Sequence, residues 1–286
     1  MAKKQRVGDK ISSLNVFLGI LMTLISVIYV IPIVLVVVNS FKSKVYINDK
    51  EHFFKLPTEE SYIGFQNYLE GAEKIDIAHS FLNTVIITIG SVAAIVLFCS
   101  MTAWYISRVK NYFTHFLYML FAISMIVPFQ MVMYPLSKVA DELNLNNPVS
   151  IILVYLGFGA GLAVFMFAGF VKSIPLEIEE AAMIDGCSPI ATFFRVVLPI
   201  MKPTAITVSI LQAMWIWNDY LLPYLVLKKD YKTIPIAIQY LKGGFGSVEW
   251  GHMMAMLTVS IIPIIVFYIV CQKYIIKGVV AGAVKG

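Results

Sequence analysis

Charge is what this sequence has least of. Only 14% of its 286 residues are Asp, Glu, Lys or Arg, against 59% hydrophobic, and the mean hydropathy is +0.81. That balance excludes an ordinary water-soluble domain and gives no reason to expect a nucleic-acid partner. Cysteine is scarce as well. Cys99, Cys187 and Cys271 have no metal-like spacing and so imply neither a disulfide framework nor a zinc site. No G-x4-GK[ST] phosphate loop occurs, which argues against ATP binding by this chain. The four histidines, His52, His79, His115 and His252, form no i,i+4 pair, and nothing resembles a hydrolytic triad. The chain is therefore not expected to be an enzyme.

What is present is long apolar stretches. A bilayer core about 30 Å thick needs about 20 apolar residues in a spanning helix. Six stretches meet or approach this, at about 11–41, 80–107, 116–137, 143–171, 203–227 and 253–272. All but the fifth lack Asp, Glu, Lys, Arg and His, and the fifth carries only Asp219. The fold class expected is an all-α integral membrane protein with six transmembrane helices. A basic tail over 1–13, with Lys3, Lys4, Arg6 and Lys10, precedes an uncharged run too long for a signal-peptide core, so the run reads as a retained span. Even parity puts both termini on one side, and the basic tail puts that side in the cytoplasm. The segment at about 42–78 is then extracytoplasmic, and a polar loop at about 173–202 is cytoplasmic.

That loop contains EEAAMIDGCSPIATFFRVVLP, Glu179 to Pro199. Ser173 and Pro175 supply start signals for a helix whose first turns carry Glu177, Glu179 and Glu180. Gly186 supplies the left-handed residue that ends it, and Ser188-Pro189 starts a second helix closing near Pro199. On the first helix Ile174, Ile178, Ala181 or Ala182, and Asp185 share a face, and the alanines leave it shallow enough for another backbone to approach. Interfacial helices favour Lys and Arg on the polar face, whereas three glutamates would be repelled by an anionic leaflet. The charge sign favours a protein partner.

Glu180-Ala181-Ala182, Gly186, Val196, Leu198 and Pro199 reproduce an EAA-x3-G-x9-I-x-L-P signature, with Val196 in place of the usual Ile. In this the chain resembles the inner-membrane permease subunits of ABC importers, in the form typical of the carbohydrate-uptake subfamily. The resemblance extends through Asn83-Thr84, Tyr105 with Arg108, Pro128-x-Gln130, Trp217-Asn218-Asp219 and the terminal Gly282 to Gly286. It implies a bacterial plasma (inner) membrane location and a type I importer permease fold over 14–286. It also implies that the polar loop is a coupling element seated on an ATPase subunit. Ala181 and Ala182 would give close approach, Gly186 the turn, Glu180 and Asp185 polar contacts, and Leu198 and Pro199 complete the motif. The implied partners are a second permease subunit, two ATPase subunits, an extracytoplasmic solute-binding protein, a sugar substrate and membrane lipid. No cofactor is implied in this chain, since ATP and Mg would be bound by the partners. A permease for a non-sugar solute, or an ion-coupled secondary transporter, is the alternative; secondary transporters often carry inverted repeats, and none is evident here.

Polar residues inside spans are costly and point to function. If Lys202 marks the membrane surface, Gln212 lies about 15 Å up and Asp219 about 25 Å up. Gln212 could line a path or make an interhelical hydrogen bond. Trp215, Trp217, Asn218 and Asp219 have the mixed aromatic and polar character that suits sugars, although an interfacial belt and gate explains them better. Gln130 and Tyr134, flanked by Pro128 and Pro135, mark a kinked third span that could line a cavity. Gly157 and Gly161, four apart, suit close helix packing, and Gly243 to Gly246 reads as a flexible turn.

Overall fold

A computed structural model describes residues 13–242 and 247–283. Residues 1–12, with the basic side chains of the expected tail, residues 243–246, where a turn is expected, and Val284 to Gly286 lie outside the described residues. In chain order the helices are α1 Ser13–Asn39, α2 Lys44–Asn48, α3 Lys50–Phe53, α4 Gln66–Lys74, α5 Ile77–Arg108, α6 Tyr112–Ser124, α7 Phe129–Glu142, α8 Ile151–Val171 and α9 Leu176–Ile184. Then come α10 Pro189–Thr192, a π-helical turn Phe193–Val197, α11 Leu198–Ile200, α12 Lys202–Asn218, α13 Leu221–Val226, α14 Ile234–Gln239 and α15 Trp250–Ala283. Among the described residues the β-structure consists of two isolated bridges, Lys42 with Tyr62 and Lys242 with Val248.

Among the described residues four helices are long and apolar enough to cross a membrane: α1, α5, α8 and α15 through Tyr274. Two further crossings exist if each bent pair counts once. α6 and α7 meet at 108°, and Pro189–Ile200 meets α12 at 75°. The third span is thus broken rather than kinked. The chain leaves helix after Ser124, and Pro128, at the N-cap of α7 with ψ 137, starts a new one, because the residue before a proline is driven out of the α region and the ring cannot donate to the turn behind it. Pro135 sits inside α7. The fifth span also ends early. α12 stops at Asn218, where Asp219 turns extended (ψ 124) and its carboxylate accepts the amides of Leu221 and Leu222 at 3.0 and 3.3 Å, starting α13.

The chain divides into two compact units, one from the chain up to Ala72 with Leu241–Val259, the other from Glu73–Tyr240 with the chain from Ser260. In the first, α1 leaves its apolar surface uncovered along the spanning stretch. Beyond it a polar knot orders residues 40–72. The Lys42 ammonium is 1% exposed and donates to Asn39 Oδ1 (3.1 Å) and to the carbonyls of His52 (2.8 Å) and Lys55 (2.6 Å). Buried Asn67 donates to the carbonyls of Ser40 and Lys42 at 2.7 and 2.8 Å. Gly251 opens α15 directly against that amide, where a methyl group would collide. Glu70 holds His252 at 3.0 Å, and Glu249 holds Lys44 at 3.1 Å.

The second unit is organised by α5 and α8. Ile87, Ile95, Cys99 and Ala103 of α5 share a buried core with Val154, Ala163, Val164 and Phe167 of α8. Close approach comes from glycines. A Cβ at Gly90 would run into Ile152, and one at Gly159 into Ile95 and the Gln212 amide. Gly161 lies against α6 at Ser124 and Met125, whereas Gly157 has open space around it. The packing pair is therefore Gly159 and Gly161, not Gly157 and Gly161. α8 is buried on several sides, so successive glycines serve different neighbours instead of one shared seam. The three cysteines are free thiols.

Candidate functional site

The loop after α8 is a helical hairpin. Its first helix starts without a side-chain cap. Ser173, expected to supply one, turns back to the Phe170 carbonyl (2.7 Å), and Pro175 holds the N-cap position. α9 ends as expected at Gly186, whose φ is +88°. Gly186 N–H reaches the Met183 carbonyl (3.1 Å) and Cys187 N–H the Ala182 carbonyl (3.0 Å), the paired bonds of a Schellman cap, which satisfy otherwise orphaned carbonyls. The Ser188 hydroxyl accepts from Ala191 N–H (3.3 Å) with Pro189 in the first turn, so the second helix begins where its signals lie. That helix runs to Ile200 through the π turn Phe193–Val197.

Glu179 departs from the sequence expectation. It does not join an exposed acidic face but is 2% exposed. Arg108 donates to its Oε1 through Nε (2.9 Å) and Nη2 (2.6 Å), while the Trp104 indole N–H donates to Oε2 (2.8 Å). Arg108 Nη2 also reaches the Ile174 carbonyl (2.9 Å). Both carboxylate oxygens are thus matched by donors, the condition under which a buried charge is tolerated. Phe193 of the π turn packs on the Trp104 ring at 5.5 Å between centroids. Both helices of the hairpin are therefore fastened to the end of α5. The sequence signal for this was Trp104 and Arg108 at i,i+4, a donor pair on one face of the helix end.

The fastened side is buried, and the opposite side is bare. Glu180, Ala181, Asp185, Gly186 and Pro199 are exposed, and Ala182 and Leu198 are half-buried. Ile184 (85% exposed) and Ile190 (68%) project from the two helices. Ile174, expected on the open face, is buried, because it precedes the N-cap and lies under Arg108. Leu198 lines an apolar cleft of about 530 Å³ with residues of α5, α12 and α15 such as Val92, Met214 and Pro263, so it supports the hairpin from behind.

The candidate path residues are dispersed. Gln130 and Tyr134 are exposed on one face of α7. Gln212 is 3% exposed, and its amide donates to the Gly159 carbonyl at 3.4 Å, the interhelical alternative rather than an open path. Trp215 packs edge-on to Tyr155 (5.5 Å), and Trp217 to Phe81 (5.9 Å). Asn218 donates to the Met214 carbonyl within its own helix (2.7 Å). Asp219 accepts the Tyr155 hydroxyl (3.1 Å), so fully buried Tyr155, which sequence reasoning missed as one more apolar-span aromatic, joins Trp215 and Asp219. Among the described residues no hydrogen bond or ring contact ties this group to Gln130 or Tyr134.

Residues 96–280 match the family described as binding-protein-dependent transport system inner membrane component. The probable starch degradation products transport system permease protein AmyC of Thermoanaerobacterium thermosulfurigenes is 38% identical over 270 residues, covering 94% of this chain and 95% of the relative. The multiple sugar-binding transport system permease protein MsmG of Streptococcus mutans is 33% identical over 271 residues, covering 93% and 95%. The melibiose/raffinose/stachyose import permease protein MelC of Bacillus subtilis is 31% identical over 272 residues, again covering 93% and 95%. The crystal structure of a bacterial ABC transporter involved in the import of the acidic polysaccharide alginate superposes with a TM-score of 0.76, covering 91% of this chain and 96% of that one at 22% identity, which is a likeness of fold. With the matched segment taking up more than half of its length, this multi-pass chain belongs to the binding-protein-dependent transport system inner membrane component family.

Proposed function

We propose that the chain is one permease subunit of an ABC importer for a sugar or oligosaccharide, and that the α9–α10 hairpin is its coupling element. The carrying observation is the hairpin's two-sided construction. One side is pinned to α5 through Glu179, Arg108, Trp104 and Phe193. The other offers Glu180, Ala181, Asp185 and Gly186 beside Ile184 and Ile190 with nothing over them in this chain. A surface loop of a membrane protein has no reason to expose apolar helix faces unless something covers them. A knob fixed to a spanning helix moves as a rigid body with it, which is what coupling between two bistable states needs.

In this reading two ATPase subunits, which bind ATP and Mg, take the bare side of this hairpin and of its counterpart in a second, non-identical permease. A solute-binding protein delivers the sugar from the extracytoplasmic face. The uncovered surface of α1 supports the presence of that second chain. The names of the relatives, starch products, multiple sugars and raffinose-type oligosaccharides, favour a sugar over another solute. Residues 1–13 form the cytoplasmic tail and 14–286 the permease domain in the inner membrane, with 173–202 cytoplasmic, 42–78 extracytoplasmic and both termini cytoplasmic. Trp215, Trp217, Asn218 and Asp219 stand as a gate near the outer interface, and Gln130 and Tyr134 as candidates for the cavity wall.

The test is Gly186→Trp. A Cβ at Gly186 meets nothing within 4 Å, so the substitution carries only the left-handed backbone penalty of about 1–2 kcal/mol, and the protein should insert normally. Co-purification with the ATPase subunits and sugar uptake should be lost. Normal uptake and co-purification in that variant would remove the docking assignment.

A further inference from the structure

A second cleft, with basic residues in its walls, lies apart from the hairpin surface. It is a cleft of about 600 Å³ where α5 ends, α6 begins and α8 ends, and its walls include Ser107, Lys110, Asn111, His115, Tyr118 and Lys172. None of the described residues lining it is acidic. Lys110 and Lys172 form no ion pair among the described residues. Lys172 lies over the Tyr118 ring at 5.2 Å, and the buried Ser107 hydroxyl oxygen has no hydrogen-bond partner. The start of α6 carries a capping box, in which the Asn111 side chain accepts Thr114 N–H (2.8 Å) and the Thr114 hydroxyl accepts Asn111 N–H (3.2 Å). The formal positive charge in the cleft comes from the two lysines.

From this geometry we infer that the cleft holds the headgroup phosphate of an anionic phospholipid. Three spans terminate around it, which sets it at the level of the lipid phosphates. Two cations and a free hydroxyl, with no carboxylate among them, match one phosphodiester. Basic recesses between spanning helices are where such headgroups are held. A lipid there would brace Lys172, the residue from which the chain leaves α8 for the hairpin. The inference does not depend on the docking assignment.

The experiment uses the complete transporter reconstituted in vesicles of phosphatidylcholine alone or in an equal mixture with phosphatidylglycerol. Retained lipid is counted by native mass spectrometry, and accessibility of the two lysines is read by acetylation. Phosphatidylglycerol should be retained and should protect both lysines. Each single Lys→Gln change should weaken retention about five-fold, and K110Q/K172Q by about the product, while K110R/K172R retains it. These side chains are exposed, so the variants should still assemble with their partners, and assembly is checked by co-purification. Equal retention by K110Q/K172Q would overturn the site. Protection by millimolar inorganic phosphate in phosphatidylcholine vesicles, with no gain from phosphatidylglycerol, would overturn the lipid in favour of free phosphate. Cross-linking of residue 110 to an ATPase subunit, with no lipid retained, would overturn it in favour of a protein contact.

Discussion

Each of the two units buries one charge, and they do it by opposite means. Lys42, in the first, is surrounded by neutral dipoles, one amide oxygen and the carbonyls of His52 and Lys55, and burial pushes its pKa below the usual lysine value. Glu179, in the second, faces a formal opposite charge, the Arg108 guanidinium, backed by an indole N–H. A ring of carbonyls gathers a loop: where the short α3 ends, one ammonium collects the His52 and Lys55 carbonyls at a point. An ion pair instead fixes the direction of a whole helix, because two guanidinium N–H groups converge on Oε1 while the Trp104 indole takes Oε2. A loop is organised by the first device, and a helix is oriented by the second.

Breaking the ion pair should have the largest effect. Arg108→Leu strands a buried carboxylate, at a cost of about 3–5 kcal/mol, seen as a lower midpoint in thermal unfolding. The double change R108L/E179L should recover much of that stability while sugar-dependent ATPase stimulation stays low. Recovery of both together would mean the pair is only packing. Lys42→Met leaves several acceptors unpaired and should cost on the order of 3 kcal/mol, read as faster hydrogen exchange over residues 42–62. Since the folded-state pKa of Lys42 is lowered, the unfolded chain binds the extra proton between that value and 10.5. Stability of the first unit should therefore rise with pH through that window and stay up above it; K42M should lose this rise. Gly251→Ala drives a methyl into the Asn67 amide, at about 1–3 kcal/mol, and should show in the same amides as K42M while leaving ATPase coupling intact. Asp76→Ala should do least. Asp76 caps α5 through His79 N–H (3.4 Å) and the His79 ring (2.7 Å), contacts that hold its pKa below 3.8. The cap is present above that pH and is lost as pH falls through the lowered value, so the change should appear only as faster exchange at the start of α5, with D76N retaining most of the protection.

The spans were legible because a soluble fold seldom needs apolar runs of membrane length, and the hairpin because Gly186 and Ser188-Pro189 are local signals that act within a few residues. At Pro128 the prolines marked a kink but not a full break, and the end of α12 at Asp219 was not legible, since a hydropathy window averages over a single corner. Glu179 was misassigned for a related reason. Its neighbours Glu177 and Glu180 are exposed, and nothing in the order of residues tells one glutamate from the next until Arg108, 71 positions earlier, is brought beside it. Gln212 and the α8 glycines were ambiguous because a helix apolar on all sides has no periodicity to say which neighbour each residue meets.

The contact between Arg108 and Glu179 carries one more consequence, for threading. Two side chains that touch lie on the same side of a bilayer, so the chain crosses an even number of times between them. With α8 long and apolar enough for one crossing, even parity requires α6 and α7 to count together as one span. At the opposite rim Ile234 N–H donates to the Thr84 hydroxyl (3.0 Å), which demands even parity again across α5, the bent pair, α8 and α12. The two bonds together require the bent pair to count as one pass, whichever way the stretch between them is inserted.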